Sequence, residues 1–301
     1  MATTTKSLGM QGAGKRKIDT SQNTKSKIKE FFITFAIYAE LIIVSIIVLF
    51  PILWIVGSSF NPGSSLASSS MFPENPTLKH YRTLLTETNY IRWYANTFKI
   101  AIIHMTLSIC LSTSMGYVFG RFKFKGKKVA LLSVLVVQMF PSFMAMTALY
   151  VLFLTFNLLD NHWALILCYA AGQIPMNTWL IKGYLSSIPK ELDESAMLDG
   201  ASKIQIFTKI IFPLIKPIVS FVAVTTFMTP WMDFIFPRLI ISTNENLTLA
   251  VGLFDMISGE TQNNYTMFAA GAVLVAVPIT IAYVGLQKYL IEGITAGASK
   301  G

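Results

Sequence analysis

The stretch ELDESAMLDGASKIQIFTKIIFP, Glu191 to Pro213, sets four acids, two lysines and a central glycine between two long apolar segments. Only 13% of the 301 residues in this chain are charged. What this polar island does therefore decides how the greasy remainder reads.

Apolar residues make up 53% of the chain. A bilayer-spanning helix needs about 20 mostly apolar residues, because lipid offers no partner to an unpaired backbone group. Six runs meet that need: Phe32 to Ser58, Thr97 to Phe119, Val129 to Phe156, His162 to Ile181, Pro217 to Ser242 and Met267 to Leu286. One such run alone could be a buried core helix. Six, with no polar stretch long enough for a soluble domain, imply an all-α membrane protein of six spans. The polar residues before the first run are too many for a short charged leader, and no small-residue cleavage pattern follows, so the first span is expected to stay. Cys110 and Cys168 fall inside spans, where a thiol acts as a small apolar filler.

Lysine and arginine gather on the cytoplasmic side of membrane proteins. Seven lie in the N-terminal tail, residues 1–31; five follow the second span, at Arg121, Lys123, Lys125, Lys127 and Lys128. Five more accompany the polar island, at Lys182, Lys190, Lys203, Lys209 and Lys216, and two follow the sixth span, at Lys288 and Lys300. The alternate segments are nearly bare: residues 155–162 and 242–265 carry none, and loop 59–95 carries three. Both termini are thus expected in the cytoplasm, with the polar island beside them. The net charge of +9 then reflects topology and attraction to an anionic leaflet. The basic tail has no interleaved aromatics for base stacking, which argues against nucleic-acid binding. Asn246-Leu247-Thr248 and Asn264-Tyr265-Thr266 match the glycosylation pattern, and are read as chance matches.

The island itself carries helix punctuation. Ser187 can cap, Pro189 suits a first turn, and Glu191, Asp193 and Glu194 place negative charge at the positive end of a helix. Gly200 can take the left-handed conformation that closes it, after which Ser202 and Gln205 stand at capping-box spacing for a second helix. Pro213 and Pro217 are expected to stop that helix at the membrane. The prediction is two short helices around a glycine corner, within a cytoplasmic loop spanning residues 186–215.

Glu194-Ser195-Ala196-x-x-x-Gly200, followed by Ile210-x-Phe212-Pro213, resembles the EAA loop of bacterial ABC-importer permeases. Ser195 and Phe212 depart from the family's Ala and Leu, both modestly in volume. WLIKGYLSSIPKELDESAMLDGAS and the ending GITAGASKG are similar to the carbohydrate branch. QMFP at Gln138 to Pro141 and LTLAVGL are similar to its malto-oligosaccharide members. The resemblance implies a six-span permease paired with a second homologous permease, two cytoplasmic ATPase subunits that bind ATP and magnesium, and an extracytoplasmic sugar-binding protein, in a bacterial cell membrane. It implies no cofactor in this chain, and maltose or maltodextrin as the sugar. It also assigns ATPase coupling to Glu194, Ser195, Ala196, Gly200 and Pro213, and a reach between the ATPase subunits to the tail, residues 290–301, through Thr295, Gly297 and Lys300. Read alone, that small-residue tail is equally a disordered end.

Inside the spans, Glu40 and Lys99 lie near ends and can snorkel. Asp233 is deeper, between Pro230 and Pro237, where a broken helix can line a cavity; Arg238 is its expected counter-ion, with a sugar contact as the alternative. Gln138, Phe140, Trp179 and Trp231 are pathway candidates, although aromatic rings at such positions also face lipid. Prolines at 51, 141, 175, 230 and 278 predict kinked spans. No phosphate loop is present, so this chain would not itself hydrolyse ATP. An ion-coupled transporter is the runner-up, but one deep carboxylate gives it little chemistry. A membrane enzyme fits less well: His80, His104 and His162 are scattered and no nucleophile or zinc motif accompanies them.

Overall fold

The computed structural model describes residues 20–65, 71–258 and 263–298, with helices and no strand among them. Residues up to Leu53 group as one compact unit and those from Trp54 onward as another. The first unit is most of α1 (Thr20–Ser59), a single helix already begun within the basic tail. From Phe31 onward its side chains are mostly apolar and exposed on every side, as in Phe35, Ile43 and Ile46, which is the pattern of a helix made for lipid or for other helices rather than water.

In the second unit, α2 (Lys79–Glu87) leads into α3 (Tyr90–Arg121), so part of the expected loop 59–95 is helical. α4 (Lys127–Gln138), α5 (Ser142–Thr155) and α6 (His162–Leu185) follow. The polar island forms α7 (Glu191–Leu198), α8 (Lys203–Gln205), a π-helical turn (Ile206–Ile211) and α9 (Phe212–Leu214). Beyond it come α10 (Lys216–Met232), α11 (Ile235–Ile240), α12 (Leu249–Asp255) and α13 (Tyr265–Ala298). α3 is the central post, packed against α6 and α10, and α10 also packs on α13. Two apolar cores result. One lies around Leu84, Trp93, Ile100, Leu165 and Val251, the other around Tyr117, Ile181, Leu185, Ala196, Ile206 and Ile215, directly under the polar island.

Among the described residues, four helices are long and apolar enough to cross a membrane alone, and the number is six if each of two bent pairs counts as one span. The third span is kinked, as its proline predicts, by 96° between α4 and the α5 segment. Pro141, in extended backbone at φ −61 and ψ 121, interrupts it. A proline disfavours the helical region for the residue before it and offers no amide to the ladder. The fifth run also breaks, at Asp233, which is extended at ψ 123. The sixth continues as helix to Ala298 and takes Thr295 and Gly297 with it, so residues 293–298 are helical rather than coil. Lys300 lies outside the described residues.

Candidate functional site

The polar island is a structured elbow. α7 opens with Glu191, Asp193 and Glu194 in its first turn, against the positive end of the helix. Ser187 does not cap it, because its hydroxyl donates to Tyr184 O at 2.6 Å and the cap position falls on Lys190. Gly200 turns the corner at φ +83, a conformation costing other residues about 1–2 kcal/mol. Ser202 and Gln205 then form the full capping box, Gln205 Oε1 accepting from Ser202 N at 2.8 Å and Ser202 Oγ from Gln205 N at 3.4 Å.

Pro213 does not end the second helix. The helix widens into the π turn just before it, where Phe212 N donates to Phe207 O, five residues back. A helical proline presses on the carbonyl four residues earlier and supplies no N–H; a wide turn accommodates both faults. The chain then bends by 78° between α9 and α10.

One face of the elbow is anchored. Ala196, Ile206 and Ile211 are buried against Tyr117 of α3 and Ile181 and Leu185 of α6. Beneath α7, Arg121 at the end of α3 meets Asp193: Nε stands 2.9 Å from Oδ2, with the two side chains only 7% and 8% exposed. The contact is an ion pair by distance, though not aligned as a hydrogen bond. The guanidinium also donates to Leu185 O at 3.4 Å, Ile188 O at 3.1 Å and Pro189 O at 3.5 Å. Arg121 thus ties together the ends of α3 and α6 and the first turn of α7. Burial pushes the Asp193 carboxyl up from its ordinary range, and the charge of Arg121 opposes that push. The other face is bare: Leu198 is 90% and Ile204 76% exposed, with Leu192 and Met197 beside them, and Glu194 and Ser195 are exposed there too. Exposed apolar patches rimmed by polar residues are of the kind that mark protein or membrane contacts.

The pathway candidates do not converge on one site. Gln138 donates to Gly172 O at 3.0 Å, joining α4 to α6, while Phe140 is exposed at the bend. Trp231 stacks edgewise on Tyr94 and packs on Phe227. Asp233 caps α11, accepting from Ile235 N at 3.0 Å and Phe236 N at 3.3 Å, and takes the Tyr169 hydroxyl at 2.9 Å. Arg238 is not its partner. It pairs with Asp255 at 3.1 Å, because Asp233 sits in extended backbone before α11 with its carboxylate turned to the first amides of that helix and to Tyr169, while Arg238 lies a turn further on within α11. Tyr169 and Gln173, which donates to Thr229 Oγ1 at 2.5 Å, were not legible as site residues; their one signal is the i, i+4 spacing of two polar groups on an apolar helix.

At the opposite end, residues 242–258 fold back onto α3 and the start of α6. Asp160 accepts from Ser242 N, Thr243 N, Thr243 Oγ1 and Asn246 Nδ2 at 2.6–2.9 Å. Burial opposes ionisation there, but these donors outweigh it and hold the carboxyl down at about 2. Trp93 donates to Asn244 O and Asn96 to Glu245 O and Leu247 O. α12 seats Gly252 against the Trp93 ring, where an added Cβ would lie 2.2 Å from Cε3, which explains the glycine of LTLAVGL. Both glycosylation-pattern amides are engaged, Asn246 with Asp160 and Asn264 in accepting from Met267 N at the start of α13.

Broken apolar spans around a central helix, with a rigid elbow projecting from two of them, define a membrane transport subunit. The family model described as "Binding-protein-dependent transport system inner membrane component" matches residues 109–295, and the chain belongs to that family. It is 44% identical to the galactooligosaccharides transport system permease protein GanQ of Bacillus subtilis (strain 168), over 91% of this chain and 98% of that one. It is 41% identical to the maltodextrin transport system permease protein MdxG of the same organism, over 88% and 95%. It is 37% identical to the maltodextrin permease MalD of Streptococcus pneumoniae (strain ATCC BAA-255 / R6), over 93% and 100%. The fold matches a bacterial ABC transporter involved in the import of the acidic polysaccharide alginate, with a TM-score of 0.75 at 23% identity over 87% of this chain and 96% of that one.

Proposed function

We propose that this chain is one of two homologous permease subunits of an ATP-driven importer, lining with its partner the route for an oligosaccharide. Both termini and the elbow lie in the cytoplasm, where the basic residues gather. Two ATPase subunits bind ATP and magnesium and seat against the elbow, and an extracytoplasmic sugar-binding protein delivers substrate at the opposite end. The observation that carries this reading is the elbow: exposed Leu198 and Ile204 beside Glu194 and Ser195, on a base of Ala196 and Ile206 locked to α3 and α6. Gly200 holds the corner, and Pro213 shapes the turn that hands movement on to α10. ATPase closure would push the elbow and rock α6 and α10 together. The end of α13, with Thr295 and Gly297, and Lys300 beyond it reach towards the ATPase pair.

Maltodextrin is the substrate favoured by the maltodextrin permeases among its relatives. The 44% identity to a galactooligosaccharide permease favours a second reading, a galactoside oligomer. Asp233, Trp231, Phe140 and Gln138 remain the pathway residues of the proposal, with Tyr169 and Gln173 added. The test is uptake into vesicles carrying the full complex and its binding protein. ATP-dependent uptake of maltotriose or galactobiose is expected, unaffected by ionophores; uptake driven by an ion gradient without ATP would overturn the assignment.

A further inference from the structure

Beside the anchored face of the elbow lies a cleft that the coupling reading does not use. It has a volume of about 470 Å³ between the end of α3, the start of α4 and the end of α6, and Lys127, Lys182 and Lys190 line it. A second hollow of about 790 Å³ adjoins it, sharing Lys127 and Lys182 and walled by Leu131, Leu132 and Trp179. The charges of Lys182 and Lys190 both act on Lys127. Among the described residues no carboxylate pairs with any of the three, since Arg121 takes Asp193 and Glu191, which also lines the cleft, forms no ion pair with them. Lys127 gives one hydrogen bond to Phe122 O at 3.0 Å, and Lys182 lies over the Trp179 ring at 4.7 Å. Lys127 also opens α4, so it stands against the positive end of that helix, where a cation is unfavourable.

We propose that this cleft binds the phosphate headgroup of an anionic phospholipid of the inner leaflet. Three mutually repelling ammonium groups around one hollow are relieved by an anion between them. A protein surface could supply that anion, but the adjoining wall is apolar and continuous with the exposed Val129 and Leu132 of α4, as acyl chains require. Trp179 stands between the basic and apolar parts, the position tryptophan favours at a membrane interface. The proposal rests on the cytoplasmic placement of this end.

The full complex, permeases with ATPases, is purified and the phospholipids it retains are counted by native mass spectrometry after exchange into phosphatidylglycerol or phosphatidylcholine. Each basic residue near an anionic surface contributes about fivefold in affinity, so K127Q/K182Q/K190Q should weaken phosphatidylglycerol retention by roughly tenfold to a hundredfold. Phosphatidylcholine retention should stay unchanged, and K209Q, on the elbow outside the cleft, should behave as wild type. Equal phosphatidylglycerol retention by the triple variant overturns the proposal. So does displacement of the lipid by millimolar inorganic phosphate, or loss of the ATPase subunits from the triple variant, which would assign the lysines to a protein contact. Sidedness is read separately: K123C, in a C110S/C168S background, should react with an impermeant maleimide only in inside-out vesicles.

Discussion

Arg121→Ala is the most informative single perturbation. It strands the Asp193 carboxylate, whose side chain is 8% exposed, and removes the donor shared by Leu185 O at the end of α6 and by Ile188 O and Pro189 O between α6 and α7. Breaking one partner of a buried pair costs about 3–5 kcal/mol, a large share of the roughly 5–15 kcal/mol that holds a domain folded. Replacing both partners with apolar groups is near neutral, so R121M/D193L should recover most of the melting temperature that R121A loses. Burial raises the Asp193 carboxyl, so the folded state binds its proton more readily than the unfolded chain does. Its contribution to stability is present at low pH and declines as pH rises from the ordinary carboxylate value through the raised one. Without Arg121 the carboxyl should rise further, and the R121A deficit should therefore shrink as pH is lowered.

Melting of the detergent-solubilised complex measures the stability part; transport per ATP hydrolysed measures the coupling part. In the double variant the fold is expected to return while transport per ATP stays low, because the polar tie from elbow to α3 is gone. Wild-type melting and wild-type transport per ATP in R121A would refute the reasoning. Full recovery of transport in R121M/D193L would reduce the pair to a structural role.

Other expectations follow from the same geometry. At Gly200, φ +83 is closed to a β-branched residue, so Gly200→Val should uncouple transport from ATP hydrolysis, while Gly200→Asn should be tolerated; the ratio of the two rates decides. Glu194→Lys and Leu198→Asp alter exposed positions and should leave membrane insertion intact, yet diminish co-purification of the ATPase subunits. Asp160→Asn should destabilise the end opposite the elbow by about 1–2 kcal/mol, after allowing for its partial exposure. Because its folded value is depressed to about 2, that contribution is present above pH ~4 and is lost as pH falls through about 2; limited proteolysis of residues 242–258 across that range reads it. Asp233→Asn keeps an oxygen to cap α11, so melting should change little, and a fall in uptake alone would mark Asp233 as a pathway residue.

The parts of this molecule legible in its sequence are those made by neighbours along the chain. Gly200 followed by Ser202 and Gln205 is local capping chemistry, and the helices form as that chemistry dictates. Pro141, Pro51 and Pro278 illustrate the limit. The first sits at a 96° bend while the other two lie within unbroken helices, so a proline marks where a span can break and its surroundings decide whether it does. Asp233 and Arg238 show the converse error, since closeness in sequence put together two charges of which one is held at the start of α11 and the other is drawn to Asp255. Arg121 and Asp193 were invisible for the opposite reason. They belong to different helices, and each had a sufficient local explanation, one as a topology-setting cation and the other as an acid at a helix start. The division has a functional consequence. The elbow can form from its own sequence, but its grip on α3 and α6 depends on contacts between distant residues, so substitutions outside the recognisable motif can abolish coupling while leaving every motif residue in place.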